Sequence, residues 1–106
     1  MSRIDMLKSF LNENANDSFS RYALALEYTK LGQNDDAVRE FETVKTNDPD
    51  YVATYYQLGQ LYQKLGKRHE AEKTLRTGIT VAGKAGDTHT REELEAALEA
   101  LLGTGN

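Results

Sequence analysis

The residues best suited to catalysis are few and lie far apart along the chain. His69 begins a His-Glu-Ala-Glu-Lys segment, which lacks the second histidine of the zinc-binding His-Glu-x-x-His motif. His89 stands near Asp87, but every serine is distant in sequence, so no nucleophile accompanies a histidine base. Both histidines are therefore expected to be structural or solvated. The sequence predicts no catalytic residue, and the chain is not expected to be an enzyme.

Motifs for phosphates and metals are also missing. The chain has no cysteine, which excludes disulfides, thiolate metal sites and a cysteine nucleophile. Gly66-Lys67 and Gly83-Lys84 lack the upstream glycine of a phosphate-binding loop. The Asp-Pro-Asp segment at 48–50 is too short for a calcium loop and is interpreted as a turn. We predict no metal site and no cofactor.

Composition and charge favour a small, soluble, helical protein. Its 106 residues suffice for one domain, and 39% hydrophobic with 28% charged residues is a globular balance. The net charge of −4 argues against a nucleic-acid partner. The N-terminal residues lack the apolar segment of a secretory signal, and no apolar run approaches the roughly 18 residues of a membrane span. A cytoplasmic protein without membrane association is expected.

Apolar residues recur at spacings of three and four in six segments, which predicts six helices. The first spans 3–13. The second is capped by Asp17 or Ser18 and is ended by Gly32, and the third runs from about Asp35 to the turn at 47–50.

The last three helices follow the same pattern. The fourth carries apolar residues over 52–65 and is closed by Gly66, and the fifth ends in the glycine-rich segment 83–86. The sixth, over 88–102, has a Thr-x-x-Glu capping box at 90–93 and glutamates that face away from its leucines. Residues 103–106 are predicted to form a frayed tail.

When the sequence is aligned with itself at an offset of 34 residues, many positions carry the same or a similar residue. A fixed period in this range indicates a repeat architecture, in which helix pairs complete one another's core. The matched pairs are Tyr22 with Tyr56, Leu24 with Leu58, Ala25 with Gly59, Tyr28 with Tyr62, Lys30 with Lys64, Leu31 with Leu65, Gly32 with Gly66, Ala37 with Ala71 and Phe41 with Leu75.

This pattern resembles the tetratricopeptide repeat (TPR), whose signature is a large residue, then Leu-Gly, Tyr, Gly, Ala, a large residue, a small residue and Pro. The second repeat matches with Tyr55, Leu58-Gly59, Tyr62, Gly66, Ala71, Leu75 and Gly78, and the first with Leu24-Ala25, Tyr28, Gly32, Ala37, Phe41 and Pro49. Three positions depart from the signature: Arg21 replaces the aromatic residue, Val44 replaces a small one, and Gly83 replaces proline.

The resemblance implies an all-α fold, a short α-solenoid of antiparallel helix pairs in a single domain over 1–106. Residues 18–51 would form TPR repeat 1, and residues 52–85 would form repeat 2. The helix over 3–13 would be the N-terminal half-repeat. The helix over 88–102 would be the capping helix that ends such arrays.

The resemblance also implies a function in protein–protein interaction, in which a peptide or protein segment binds the concave groove formed by the first helices of each repeat. Carried over by position, the groove side comprises Phe19, Tyr22, Ala23, Leu26 and Lys30 from repeat 1, and Ala53, Tyr56, Gln57, Gln60, Gln63 and Lys64 from repeat 2. The alternative for Phe19, Tyr22 and Leu26 is that the N-terminal helix covers them. The TPR use of Lys and Asn to clamp chaperone C-termini is not expected, because Tyr22, Leu26 and Gln57 occupy those positions.

Two other functions stay open. The chain could be a structural self-association unit, a monomer or weak homodimer that pairs through leftover apolar surface. It could also bind an acidic ligand or nucleic acid, since residues 51–86 carry a local charge of +4 while residues 87–106 carry −4. The basic residues in question are Lys64, Lys67, Arg68, Lys73, Arg76 and Lys84.

Overall fold

The structure is a computed structural model that describes residues 1–103, and all regular structure in that range is helical. Its helices are α1 (Arg3–Glu13), α2 (Ser18–Lys30), α3 (Asn34–Asn47), α4 (Ala53–Lys64), α5 (Arg68–Ala85) and α6 (Thr88–Gly103). The predicted all-α fold class is therefore confirmed. Gly103, placed in the tail by the sequence, is the last residue of α6, and residues 104–106 lie outside the described part of the chain.

The structure locates the end of the fifth helix and corrects the predicted cap of the sixth. The fifth helix ends within the predicted segment 83–86, because Gly86 adopts a left-handed conformation with φ +71°. The sixth helix begins at Thr88, and its cap is not the predicted Thr90, because the Asp87 carboxylate accepts a hydrogen bond of 3.1 Å from the Thr90 backbone N–H. A carboxylate one residue before a helix satisfies an otherwise unpaired N–H group of the first turn, and this local geometry outweighs the Thr-x-x-Glu pattern.

The chain divides into two compact units, and unit 2 begins at Val52, where the second repeat was predicted to begin. The division into repeats 18–51 and 52–85 within one domain stays a prediction. In unit 1, α1 packs on α2, and α2 and α3 form a helical hairpin. Its buried core contains Leu11 of α1, Leu24, Ala25 and Tyr28 of α2, and Ala37, Phe41 and Val44 of α3.

In unit 2, α4 and α5 form the equivalent hairpin, and α6 packs against both. The buried core contains Tyr55, Leu58, Leu61 and Tyr62 of α4, Ala71, Leu75 and Ala82 of α5, and Leu94, Leu98 and Leu101 of α6. The α4–α5 contact is close at Gly78, where an added Cβ would lie 2.5 Å from the Cβ of Tyr55. The small residue at 78 is thus what lets Tyr55 fill the space between the helices.

Candidate functional site

The α2 strip, which we define as Phe19, Tyr22, Leu26 and Lys30, follows one face of α2 at spacings of three and four. The Phe19 side chain is 68% exposed, Lys30 is exposed, and Tyr22 and Leu26 are half-buried. Ala23 was predicted to join this face but is buried. The strip therefore has an exposed aromatic ring near one end of the helix and an ammonium group at the other.

The start of α2 is held by an aspartate cap. The Asp17 carboxylate accepts a hydrogen bond of 2.9 Å from the backbone N–H of Ser20. Hydrogen bonds from the side chain of Ser20 and, to a smaller extent, from its backbone hold the pKa of Asp17 below the usual value of an aspartate. The cap starts the helix immediately before Phe19 and so places that ring in the first turn.

Tyr22 is fixed by two aromatic neighbours of unit 1. Its ring centroid lies 5.8 Å from that of Phe41 in an edge-to-face contact and 5.5 Å from that of Tyr51 in a tilted one. Such contacts stabilise a ring orientation by about 1 kcal/mol beyond the area that they bury. Burial raises the pKa of Tyr51, and the charges of Asp48 and Asp17 raise it further. The Tyr51 hydroxyl therefore stays neutral at physiological pH.

The N-terminal helix α1 contacts a different face of α2. The Arg3 guanidinium lies 2.8 Å from the Glu27 carboxylate, and Leu11 shares a cleft with Arg21 and Leu24. These α2 residues fall outside the strip, and Phe19 is largely exposed. The alternative in which α1 covers Phe19 is therefore wrong.

The α4 strip, which we define as Tyr56, Gln57, Gln60, Gln63 and Lys64, is the corresponding face of α4. Gln60 and Lys64 are exposed, and the other three side chains are half-buried. The Gln60 amide donates a hydrogen bond of 3.1 Å to the Tyr56 hydroxyl one turn earlier. Ala53, also predicted here, is exposed at the first turn of the helix.

Lysines at equivalent positions end both strips. Lys30 lies 3.7 Å from Glu27 of the preceding turn, a loose contact on a side chain that is 74% exposed. Lys64 has no carboxylate partner within residues 1–103. An exposed ion pair such as the first contributes little, so both ammonium groups are available to an anionic group.

The candidate catalytic groups lie on the surface. His69 is exposed on α5, and the Nε2 atom of His89 lies 3.8 Å from the Glu93 carboxylate on a side chain that is 84% exposed. Over residues 1–103, no cluster of three or more His, Cys, Asp or Glu side chains has a metal-binding arrangement. None of the helices in that range is long and apolar enough to cross a membrane.

Comparison with known proteins identifies the family. A family model described as TPR repeat matches residues 25–66, and one described as tetratricopeptide repeat matches residues 52–84. The chain is 41% identical to the solution structure of a tetratricopeptide repeat domain protein from Salinibacter ruber, with 82% of this chain and 88% of that chain covered and a TM-score of 0.80. The chain belongs to the tetratricopeptide-repeat family. The predicted family is thus confirmed.

Two structures of lower identity share the fold and contain bound partners. PcrH in complex with the chaperone-binding region of PopD is 14% identical, covers 97% of this chain and 78% of its own, and has a TM-score of 0.89. The TPR2B domain of yeast Sti1, in complex with pHsp70, is also 14% identical, covers 95% and 81%, and has a TM-score of 0.88. At such identity the likeness concerns the fold alone. No curated protein matches the chain significantly.

Proposed function

We propose that this TPR chain is a protein-interaction module and that the α2 strip and the α4 strip each bind a segment of a partner protein. The observation that carries the proposal is the repetition of one surface chemistry on the first helix of each repeat. Each strip combines an aromatic ring with a lysine that ends the helix, Tyr22 with Lys30 and Tyr56 with Lys64. The TPR proteins PcrH and Sti1, which bind PopD and pHsp70, support such a role for the fold.

The two strips would contribute differently to binding. Phe19 offers exposed apolar area, and rings of this kind dominate binding because they bury a large surface at a low entropic cost. On the α4 strip, the amides of Gln57, Gln60 and Gln63 can donate to and accept from the backbone of an extended peptide. The hydrogen bond from Gln60 to Tyr56 holds both side chains in place before binding.

The test is a capture experiment with a matched control. The parent chain and a Tyr56→Glu/Gln60→Arg variant would be immobilised and exposed to a lysate of the source organism, and the bound proteins quantified by mass spectrometry. The control is Thr77→Glu/Thr80→Arg, which introduces the same two charges at exposed positions of α5. Circular dichroism would establish that both variants are folded.

The proposal expects a partner that the parent and the control retain and the strip variant loses. A photo-crosslinking residue in place of Gln60 should then form an adduct with that partner. A partner retained equally by both variants would contradict the role of the α4 strip.

Self-association is a second candidate function, favoured by the outer face of α1. Met6 and Phe10 lie one turn apart on this helix and are 58% and 46% exposed. If the chain pairs through them, a Met6→Lys/Phe10→Glu variant should sediment as a monomer at concentrations where the parent forms dimers. A parent that is monomeric at every concentration would exclude this candidate.

Two further expectations belong with the proposal. We infer that the chain has no catalytic role, since TPR domains generally act as interaction modules. A cytoplasmic location remains a prediction that localisation of a tagged chain would test.

A further inference from the structure

A cleft of about 510 Å³ opens in unit 1 on the side of α2 that faces away from the α2 strip. Buried Leu11 and Leu24 form its apolar floor, and Lys8, Arg21 and Glu40 stand among the residues that line it. This volume lies within the range of small-ligand sites, which combine an apolar floor with a few polar groups.

An ion pair forms one wall of the cleft. The Nη1 atom of Arg21 donates to the Glu40 carboxylate at 2.7 Å, and its Nη2 atom donates to the carbonyl oxygen of Ala15 at 2.8 Å. The two side chains are only 19% and 14% exposed. A guanidinium has five N–H groups, so the contacts within residues 1–103 leave some of them free.

The other repeat fills the equivalent positions differently. With a shift of 34 residues, Arg21 corresponds to Tyr55 and Glu40 corresponds to Thr74, and both residues of unit 2 are buried. Unit 1 thus carries a charged pair where unit 2 carries an aromatic ring and a hydroxyl. Partly buried ion pairs contribute little net stability compared with packed apolar residues.

The charges of the cleft favour an anion. Lys8 is exposed and has no carboxylate partner among the described residues. Together Lys8, Arg21 and Glu40 carry a net charge of +1, in a chain whose net charge is −4. Charge-assisted hydrogen bonds from such groups to a carboxylate are among the stronger polar contacts in proteins.

We propose that this cleft binds an organic carboxylate on a short apolar stem. The carboxylate would lie between Lys8 and Arg21, and the stem would lie against Leu11 and Leu24. Two sources could supply this chemistry, a small free acid or the acidic side chain of a protein segment. The cleft shares no residue with either strip, so it can be occupied whether or not the proposed function is correct.

The experiment is a titration of the ¹⁵N-labelled full chain followed by NMR. The small-acid probe is hexanoate, and its neutral counterpart hexanamide has the same stem without the charge. The protein-segment probe is the capped peptide Leu-Glu-Leu-Glu-Leu, compared with its Gln-containing counterpart. We expect the charged member of one pair to shift the amide resonances around Leu11, Ala15, Arg21 and Leu24, and the neutral member to leave them unchanged.

Three variants sharpen the result. Lys8→Ala should weaken binding of the charged probe by roughly tenfold, the loss expected for one charge-assisted contact. Lys84→Ala removes another exposed lysine that has no carboxylate partner in the described chain, and it should leave the affinity unchanged. Arg21→Met/Glu40→Met removes both charges together, so that no buried charge is left unpaired, and it should abolish binding in a folded chain.

The outcomes of the titration distinguish a small free acid from a protein segment and test whether the cleft binds either. Shifts with hexanoate support a free acid, and shifts with the glutamate peptide alone support a protein segment. Equal shifts with the charged and neutral probes, no shifts at the cleft, or binding that survives Lys8→Ala unchanged would each overturn the proposal.

Discussion

The two repeats solve the same packing problem with different pairs of residues. In unit 2, Tyr55 is buried beside Gly78, whose missing Cβ leaves room for the ring. In unit 1, the corresponding residues are Arg21, which turns to Glu40 and Ala15, and the buried Val44. With no ring at position 21, position 44 can carry a larger side chain. The two departures of repeat 1 from the family signature are therefore one coupled change.

The glycines at 78 and 59 predict unequal costs for the same substitution. At Gly78, an alanine Cβ would meet the Cβ of Tyr55 at 2.5 Å, an atom that cannot move without the backbone. We expect Gly78→Ala to lower the free energy of unfolding by about 1–3 kcal/mol. At Gly59 the nearest atoms are the Cδ2 and Cγ of Leu75, at 2.5 and 2.8 Å, which lie farther from the backbone than the Cβ of Tyr55 and can shift more easily.

The helix propensity of alanine offsets part of the strain at both glycines, which lie inside helices, so the more movable contact at Gly59 should make Gly59→Ala cost less than Gly78→Ala. Urea unfolding of both variants measures the difference. An equal or larger loss for Gly59→Ala would contradict the assigned contacts.

Two capping aspartates predict how the stability of the chain depends on pH. Hydrogen bonds from Ser20 lower the pKa of Asp17, and hydrogen bonds from Thr90, together with the charge of His89, lower the pKa of Asp87. A lowered pKa in the folded state adds stability above the ordinary aspartate pKa, and this stability is lost as pH falls through the folded value.

We therefore expect the melting temperature of the parent to fall in acid more steeply than that of an Asp17→Asn/Asp87→Asn variant, whose amides still cap but do not titrate in this range. Thermal melts followed by circular dichroism over the acid range measure this. Asp50→Asn, at an exposed position in the turn before α4, is the control and should follow the parent. Parallel pH profiles for parent and double variant would refute the assignment.

At the scale of the helix, the exact first and last residues depend on backbone conformation and capping hydrogen bonds, which the spacing of apolar residues does not determine. The sequence placed the end of α5 within 83–86, and the structure places it at Gly86, whose left-handed conformation stops the helix after Ala85. At the N-terminus, Ser2 and Asp5 form a reciprocal capping box that the sequence reading missed, although serine three residues before an acid was a visible signal.

The observed end of α5 predicts opposite effects of an alanine substitution at two nearby glycines. Gly83 lies inside the helix, and a Cβ there would only touch the Cδ of Arg91 at 3.8 Å. Gly83→Ala should raise the free energy of unfolding by about 0.5–1 kcal/mol. Gly86→Ala places a Cβ on a residue with φ +71° and should lower it by about 1–2 kcal/mol. Denaturant unfolding compares the two, and a gain at Gly86 would show that α5 ends elsewhere.

At the scale of the molecule, the 34-residue period accounts for most of what could be predicted. It placed Leu24, Leu58 and Ala71 in the core, because helical spacing fixes which residues share a face. It did not predict the ion pair between Arg21 and Glu40, since such a contact depends on how two helices meet and not on one residue's spacing. The cleft beside that pair was missed for the same reason.

The overall charge predicts how the chain behaves in acid. The sequence pI is about 5.1, and Phe19, Met6 and Phe10 expose apolar surface. Because net charge keeps such surfaces apart, self-association should increase as pH falls from neutral toward the pI. Light scattering as a function of pH measures this, and a Met6→Lys/Phe10→Glu variant should scatter less. A parent whose scattering is constant over this range would disprove the expectation.

The adjacent rings of Tyr22 and Tyr51 also give the protein an optical reporter. The chain contains no tryptophan, so its near-ultraviolet circular dichroism arises from tyrosine and phenylalanine. Two rings 5.5 Å apart in a fixed tilt contribute a signal that a Tyr51→Phe difference spectrum can isolate. Because Tyr22 also belongs to the α2 strip, a partner that binds this strip would change that signal. Binding could therefore be followed in real time without any attached dye.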